Sequence, residues 1–210
     1  MSLTVSEGNS TKFEILPMGT YVARCFKIID LGTQQTEWQG EKKLQRKVLI
    51  SWEILDDDHK MADGRPFAVT KKYTASLHEK AQLRKDLEAW RGRPFTPGEL
   101  ANFLLTDVMG AYCMMQIVHN EASNGNTYAN MNSIMSTKEK PTQVNPNCEF
   151  DVDVPDMKVF ETFSENLQEQ IKQSVEWQAR EAKKVKPREQ AAAVLGDVQD
   201  EPISLDDIPF

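Results

Sequence analysis

Residues 19–30, GTYVARCFKIID, and residues 44–55, LQRKVLISWEIL, decide the fold. Both are dense in β-branched and aromatic side chains. Pro17 and Leu31-Gly32 bound the first, and an Asp- and Gly-rich turn follows the second, so both read as strands. The second alternates with period two. Arg46, Val48, Ile50, Trp52 and Ile54 fall on one face, and Lys47, Leu49, Ser51 and Glu53 on the other. A polar loop, TQQTEWQGEKK, separates the two strands. Asp63-Gly64 marks a hairpin, and residues 66–74, PFAVTKKYT, read as a third strand.

Outward from this meander, Ser76 and Glu79 have the spacing of a capping box. Leu77, Ala81, Leu83, Leu87 and Trp90 then recur at helical spacing until Arg91-Gly92-Arg93-Pro94 stops them. Thr96 to Glu99 predicts a short second helix through Phe103. Residues 110–119, GAYCMMQIVH, have few charges and predict a buried fourth strand. Asn124-Gly125 turns the chain into a fifth strand over 126–135. Three strands, a helix and two strands is the element order of the five-stranded oligonucleotide-binding (OB) barrel, with its helix between strands 3 and 4. The expected class is therefore mainly β with helices: a flexible N-terminus over 1–12 and an OB-fold barrel over 13–137.

Beyond Lys138 turn formers dominate, as in an extended linker. Helical spacing resumes from Ser164 to about residue 184, with Leu167, Ile171 and Val175 on one stripe, Trp177 beside it, and Phe160 and Phe163 placed to dock its start. This amphipathic helix either packs on the barrel or serves self-association or a partner. Residues 138–184 thus form a linker and helix. Residues 185–210 carry Asp197, Asp200, Glu201, Asp206 and Asp207 and no aromatic except Phe210, so they predict a disordered acidic tail.

Charge splits the same way. The net charge of −7 over 210 residues hides a body, 12–140, with 18 Lys+Arg against 16 Asp+Glu, and a C-terminal part, 141–210, with 7 against 15. No apolar run approaches a membrane span, and the N-terminus lacks the basic start and apolar stretch of a signal peptide. Cys25, Cys113 and Cys148 are too scattered for a disulfide framework or a zinc site, which fits a reducing cytoplasm. His59, His78 and His119 lack metal-ligand spacing. Asp56-Asp57-Asp58 beside His59 is the cluster that a magnesium-dependent nuclease would use, but such acids are ordinary in a turn. Gly-rich phosphate loops and nucleophile elbows are absent, so the expectation is a binding protein without a cofactor rather than an enzyme.

Binding an unpaired strand without reading its sequence needs cations along the phosphates and flat side chains under the bases. The loop after strand one offers Trp38, Lys42 and Lys43, followed by Arg46 and Lys47 in strand two. Strand three offers Phe67, Lys71, Lys72 and Tyr73, and Tyr128 lies beside the loop between strands four and five. These are the regions an OB barrel uses for oligonucleotides. Lys71 and Lys72 point to opposite faces, so only one can line a groove. Phe67 and Tyr73 share a face and suit the core as well as a base. Trp52 and Trp90 belong to the core by their spacing. Arg91 and Arg93 are further candidates for a basic rim.

The chain ends Leu205-Asp206-Asp207-Ile208-Pro209-Phe210, which resembles the C-terminal tip of bacterial single-stranded-DNA-binding proteins. In that family the tip docks replication and repair proteins. The resemblance implies that Phe210 fills an apolar pocket, its carboxylate pairs with a basic rim, and Asp206 and Asp207 steer approach. ILPMGTYVARCFKIIDLGTQ, PFAVTKKYTASLHEKAQLRKDLEAWRGRPFT and SENLQEQIKQSVEW together resemble bacteriophage-encoded single-stranded-DNA-binding proteins with an OB fold, over about residues 13–180. The body lacks close likeness to the bacterial core, so neither that family's assembly nor its stacking residues carry over. The resemblance implies a stoichiometric protein that coats and protects single-stranded DNA in the cytoplasm of an infected bacterial host. It would recruit phage or host replication, recombination and repair proteins through its tip. Neighbouring readings are a recombination mediator or annealing protein, and a protein-only adaptor.

Overall fold

The computed structural model describes residues 14–38, 40–121 and 125–183. The elements run β1 (Gly19–Trp38), β2 (Glu41–Ile54), β3 (Ala68–Thr74), α1 (Gln82–Arg91), α2 (Pro97–Asn102), β4 (Tyr112–Glu121), β5 (Thr127–Met135), β6 (Cys148–Phe150), α3 (Met157–Glu161) and α4 (Glu165–Lys172). A last helical stretch, α5, covers 175–183. The molecule is mainly β: one six-stranded sheet in the order β3-β2-β1-β4-β5, antiparallel along that path, with β6 paired to β1 in parallel. Among the described residues no helix is long and apolar enough to cross a membrane.

The five expected strands are present, within a few residues of their expected bounds except for the end of β1. The barrel is not closed, because β3 and β5 remain the two ends of the strand order. α1 packs against both. Asp86 on α1 takes the Tyr73 hydroxyl and the Lys71 ammonium of β3, each at 2.8 Å. Trp90 at the other end donates to the Tyr112 carbonyl of β4 at 2.8 Å. The capping box expected at Ser76 and Glu79 does not form: α1 starts at Gln82 behind Ala81, without a side-chain cap. It forms instead on α2, where Thr96 and Glu99 cap one another behind Pro97.

Strand β1 was expected to stop at Asp30. It runs on to Trp38, so the expected polar loop is mostly a two-stranded arm, paired with β2 out to Trp38 opposite Glu41. Two register breaks, between Cys25 and Lys27 and between Asp30 and Gly32, make this possible. Each bulge adds one residue and switches which parity faces inward. Tyr21, Ala23 and Cys25 enter the main core, then Ile28 does, while Ile29 and Leu31 turn to the opposite face.

The sheet therefore has two apolar sides. The main core gathers Val48, Ile50, Trp52 and Ile54 of β2, Cys113, Met115 and Ile117 of β4, and Leu83, Leu87 and Trp90 of α1. Trp52 and Trp90 meet edge to face at 5.7 Å, a favoured aromatic geometry. On the outer side, Ile29 and Leu31 are covered by Phe150, Phe160, Phe163, Ile171 and Trp177. α4 ends at Gln173-Ser174, which leaves Val175 exposed instead of continuing the apolar stripe. The stretch 138–147, expected as a linker, has no regular secondary structure, but its end is fixed to the sheet. Arg24 and Glu53, opposite one another on β1 and β2, form a buried ion pair at 2.7 Å. Arg24 also donates to the Asn145 carbonyl and Asn147 Oδ1, and Glu53 accepts from the Asn145 amide at 2.7 Å.

Candidate nucleic-acid interface

Three parts of the outer face have different fates. The Arg24–Glu53 end lies under 144–147, and the β1 strip carrying Ile29 and Leu31 lies under the C-terminal helices. The strip formed by β2 and β3 stays open. It carries Lys47 and the partly buried Leu49 from β2, Thr70, Lys72 and Thr74 from β3, and a buried Ser51 at its floor. Lys27 of β1 borders it beside Thr70 and Lys72.

Along this strip the lysines meet neutral oxygens. Lys47 Nζ donates to Gln45 Oε1 at 2.7 Å and to Thr74 Oγ1 at 2.8 Å. Lys72 Nζ donates to Gln170 Oε1 of α4 at 2.8 Å. Among the described residues neither lysine, nor Lys27, has a carboxylate within ion-pair distance. Burial, and secondarily the neighbouring Lys72 charge, hold the Lys47 ammonium below its ordinary pKa. Two cations thus share one groove, and neither is ion-paired, although Glu169 of α4 also lines it. The groove has a volume of about 410 Å³, with Lys47 and Lys72 on the sheet side and Gln170 and Gln173 on α4 opposite. It continues on one side past Tyr73 and Ser76, and on the other past Lys27 and Leu49.

The other expected cations, Lys42 apart, are already occupied. Arg46 sits among Asp30, Asp151 and Asp153, with Asp153 at 2.6 Å, and those hydrogen bonds, foremost that of Asp30, push its pKa further up. The three aspartates would otherwise form a compact acidic cluster, but this guanidinium fills it. Lys71 lies on the core side of β3 and pairs with Asp86. Lys43 pairs with Glu41 at 3.0 Å on the exposed arm, where Lys42 is also exposed. Arg91 and Arg93 both pair with Glu99, and Arg91 lies over Phe95, so neither forms a free basic rim.

The flat side chains divide similarly. Tyr73 is 4% exposed, and burial first, then Asp86, push its phenol pKa far up; its ring is core rather than a platform for a base. Phe67 is half-buried against the same core, just before β3. Tyr128 is 49% exposed on β5, opposite Asn120 and next to the β4–β5 turn. Trp38 ends β1 at the tip of the arm, and its side chain lies outside the described residues. Asp206, Asp207, Ile208, Pro209 and Phe210 also lie outside them, as does the expected tail, 185–210. In the Asp56 turn, Asp56 Oδ1 accepts from the amides of Asp58 and His59, and Lys60 pairs with Asp57 at 2.8 Å.

Two participants escaped the sequence reading. Lys27 was hidden because the first bulge moves it to the outer face with Ile29, against the alternation counted from Tyr21. Gln170 carries no local signal in the sequence that its side of the helix faces Lys72. No family model matches the chain, and no curated protein matches it.

Proposed function

We propose that this protein binds single-stranded DNA, largely without regard to sequence, through the open β2–β3 strip and the adjoining loops. The supporting observation is the pair Lys47 and Lys72, which share a groove, donate to neutral oxygens and, among the described residues, have no carboxylate within ion-pair distance. Phosphates supply the missing counterions, and release of condensed cations from the strand drives the association. The sheet reads as an OB arrangement left open between β3 and β5: a β1–β3 meander, α1, and a β4–β5 hairpin, with one long bulged β1 shared by both halves. In that architecture strands two and three carry the oligonucleotide, flanked by the one–two and four–five loops. Trp38 and Lys42 at the arm tip and Tyr128 at the β4–β5 end are then the stacking and phosphate contacts that extend the groove.

In this reading the protein acts stoichiometrically as a phage-type single-stranded-DNA-binding protein in the infected host's cytoplasm. Asp206 to Phe210 serve as the docking peptide for replication, recombination or repair proteins. Titration of the full chain with oligo-dT tests it. Neutralising four to six phosphates gives a slope of log K against log salt of roughly −3 to −4. Lys47→Glu with Lys72→Glu weakens binding by about tenfold or more at moderate salt, and Trp38→Ala weakens it by about the value of one stacked base, roughly 1–3 kcal/mol. Absence of binding in dilute buffer, or a double variant that binds like the parent, overturns the reading.

A further inference from the structure

We propose that α4 is the second wall of the strand-binding groove, and that the phosphodiester backbone of a single strand runs between the outer face of β2–β3 and α4, taking the place of Gln170 on the Lys72 ammonium. This rests on the single-strand reading and assigns a role to a helix that otherwise only covers apolar surface.

Three observations carry it. The Lys72–Gln170 hydrogen bond joins sheet and helix, and the groove continues on both sides of it. Asn166 and Gln170 border both sides, so α4 lines the groove for about a full turn of helix. Finally, α4 is held at this distance by contacts that do not involve the groove lysines. Gln34 Nε2 donates to the Gln170 carbonyl at 2.8 Å, the Thr33 hydroxyl donates to Glu176 at 2.6 Å, and Ile171 is fully buried. The wall therefore remains when Lys72 exchanges partners.

The exchange is favourable by its chemistry. The amide oxygen now on Lys72 is a neutral acceptor, whereas a phosphate oxygen carries negative charge, so the exchange adds Coulomb attraction to a bond the ammonium already makes. Gln170 keeps Lys72 extended over the groove until an anion arrives, which reduces the ordering cost of binding. The same wall carries one opposing charge, Glu169, which also lines the groove. It repels the bound strand, and that gives the test its direction.

Oligo-dT affinity is measured across salt for the intact protein and for Glu169→Lys, Gln170→Glu and Glu161→Lys, the last being exposed on α3 and outside the groove lining. If α4 faces the strand, Glu169→Lys tightens binding by about fivefold to tenfold and steepens the salt slope by close to one phosphate contact, about 0.7. Glu161→Lys changes affinity less than about twofold, because separated exposed charges are screened. Gln170→Glu gives Lys72 an internal counterion and weakens binding by about tenfold. A gain of affinity cannot come from misfolding, so Glu169→Lys decides. If it behaves like Glu161→Lys while Lys72→Glu still weakens binding, α4 is not a wall and the single-strand reading stands. If the intact protein ignores oligo-dT at low salt, the single-strand reading itself fails, and the wall with it.

Discussion

Arg24 and Glu53 show what a single residue contributes here. Both are charged, and both are essentially enclosed, at 3% and 0% side-chain exposure. Their mutual attraction is completed by Asn145 and Asn147, so both buried charges have further hydrogen-bond partners. Glu53→Gln leaves a buried guanidinium without its counterion. It should cost about 3–5 kcal/mol in urea unfolding, and a loss under about 1 kcal/mol would show that water reaches the pair. The cysteines differ for a related reason. Burial pushes the Cys25 thiol up to about 12 and raises Cys113 as well, so the reactive thiolate is suppressed at both. A thiol reagent at pH 8 should modify Cys148 first and reach the other two only on unfolding. Equal rates at all three positions would contradict their enclosure.

Among the elements, the docking of α4 and α5 onto β1 depends on one close approach. Gly32 has φ +68°, and a Cβ there would lie 2.6 Å from Ser174 Cβ and 2.7 Å from Glu176 Oε2. Only glycine allows both the left-handed backbone and this contact. Read along the sequence, Leu31-Gly32 ends a strand; in the fold it is a bulge over which the α4–α5 junction settles. Glu176 then closes the contact. Burial raises its pKa, but the Thr33 hydroxyl and amide outweigh that and leave the carboxyl below its usual value of 4.5. A lowered folded pKa means that this stabilisation is fully present above about 4.5 and is lost as pH falls through the folded value. Hydrogen exchange over 157–183 should therefore accelerate on acidification below pH 4.5 before that of β1 and β4, and Glu176→Gln should remove much of this pH dependence. Simultaneous exposure of both regions would indicate that the helices do not open separately. The helix boundaries were partly legible. The Thr96 capping box gathers its signals within four residues, whereas the start of α1 depends on Leu83, Leu87 and Trp90 reaching the core, which moved it past the expected Ser76 cap.

For the whole molecule, the decisive feature is that one sheet is covered on both sides. Removing residues 138–210 would uncover Ile29 and Leu31, each fully buried, and strip Arg24 and Glu53 of the Asn145 and Asn147 contacts. The remaining fragment should aggregate or melt well below the intact chain in a thermal scan, since exposed apolar patches of this kind drive association. A monomeric fragment with an unchanged melting temperature would mean that the C-terminal helices add nothing to the fold. By itself the sequence determined five of the six strands, though not where β1 ends, their order with α1, and most of the main core, because alternation and helical spacing are set by neighbours along the chain. It also located the basic cluster. Only the tertiary structure decided which of those cations stay available. Asp153 reaches Arg46 from 107 residues away, Asp86 reaches Lys71 from 15, and Gln170 meets Lys72 from 98. Whether a charge is neutralised depends on what folds against it, and no local pattern records that.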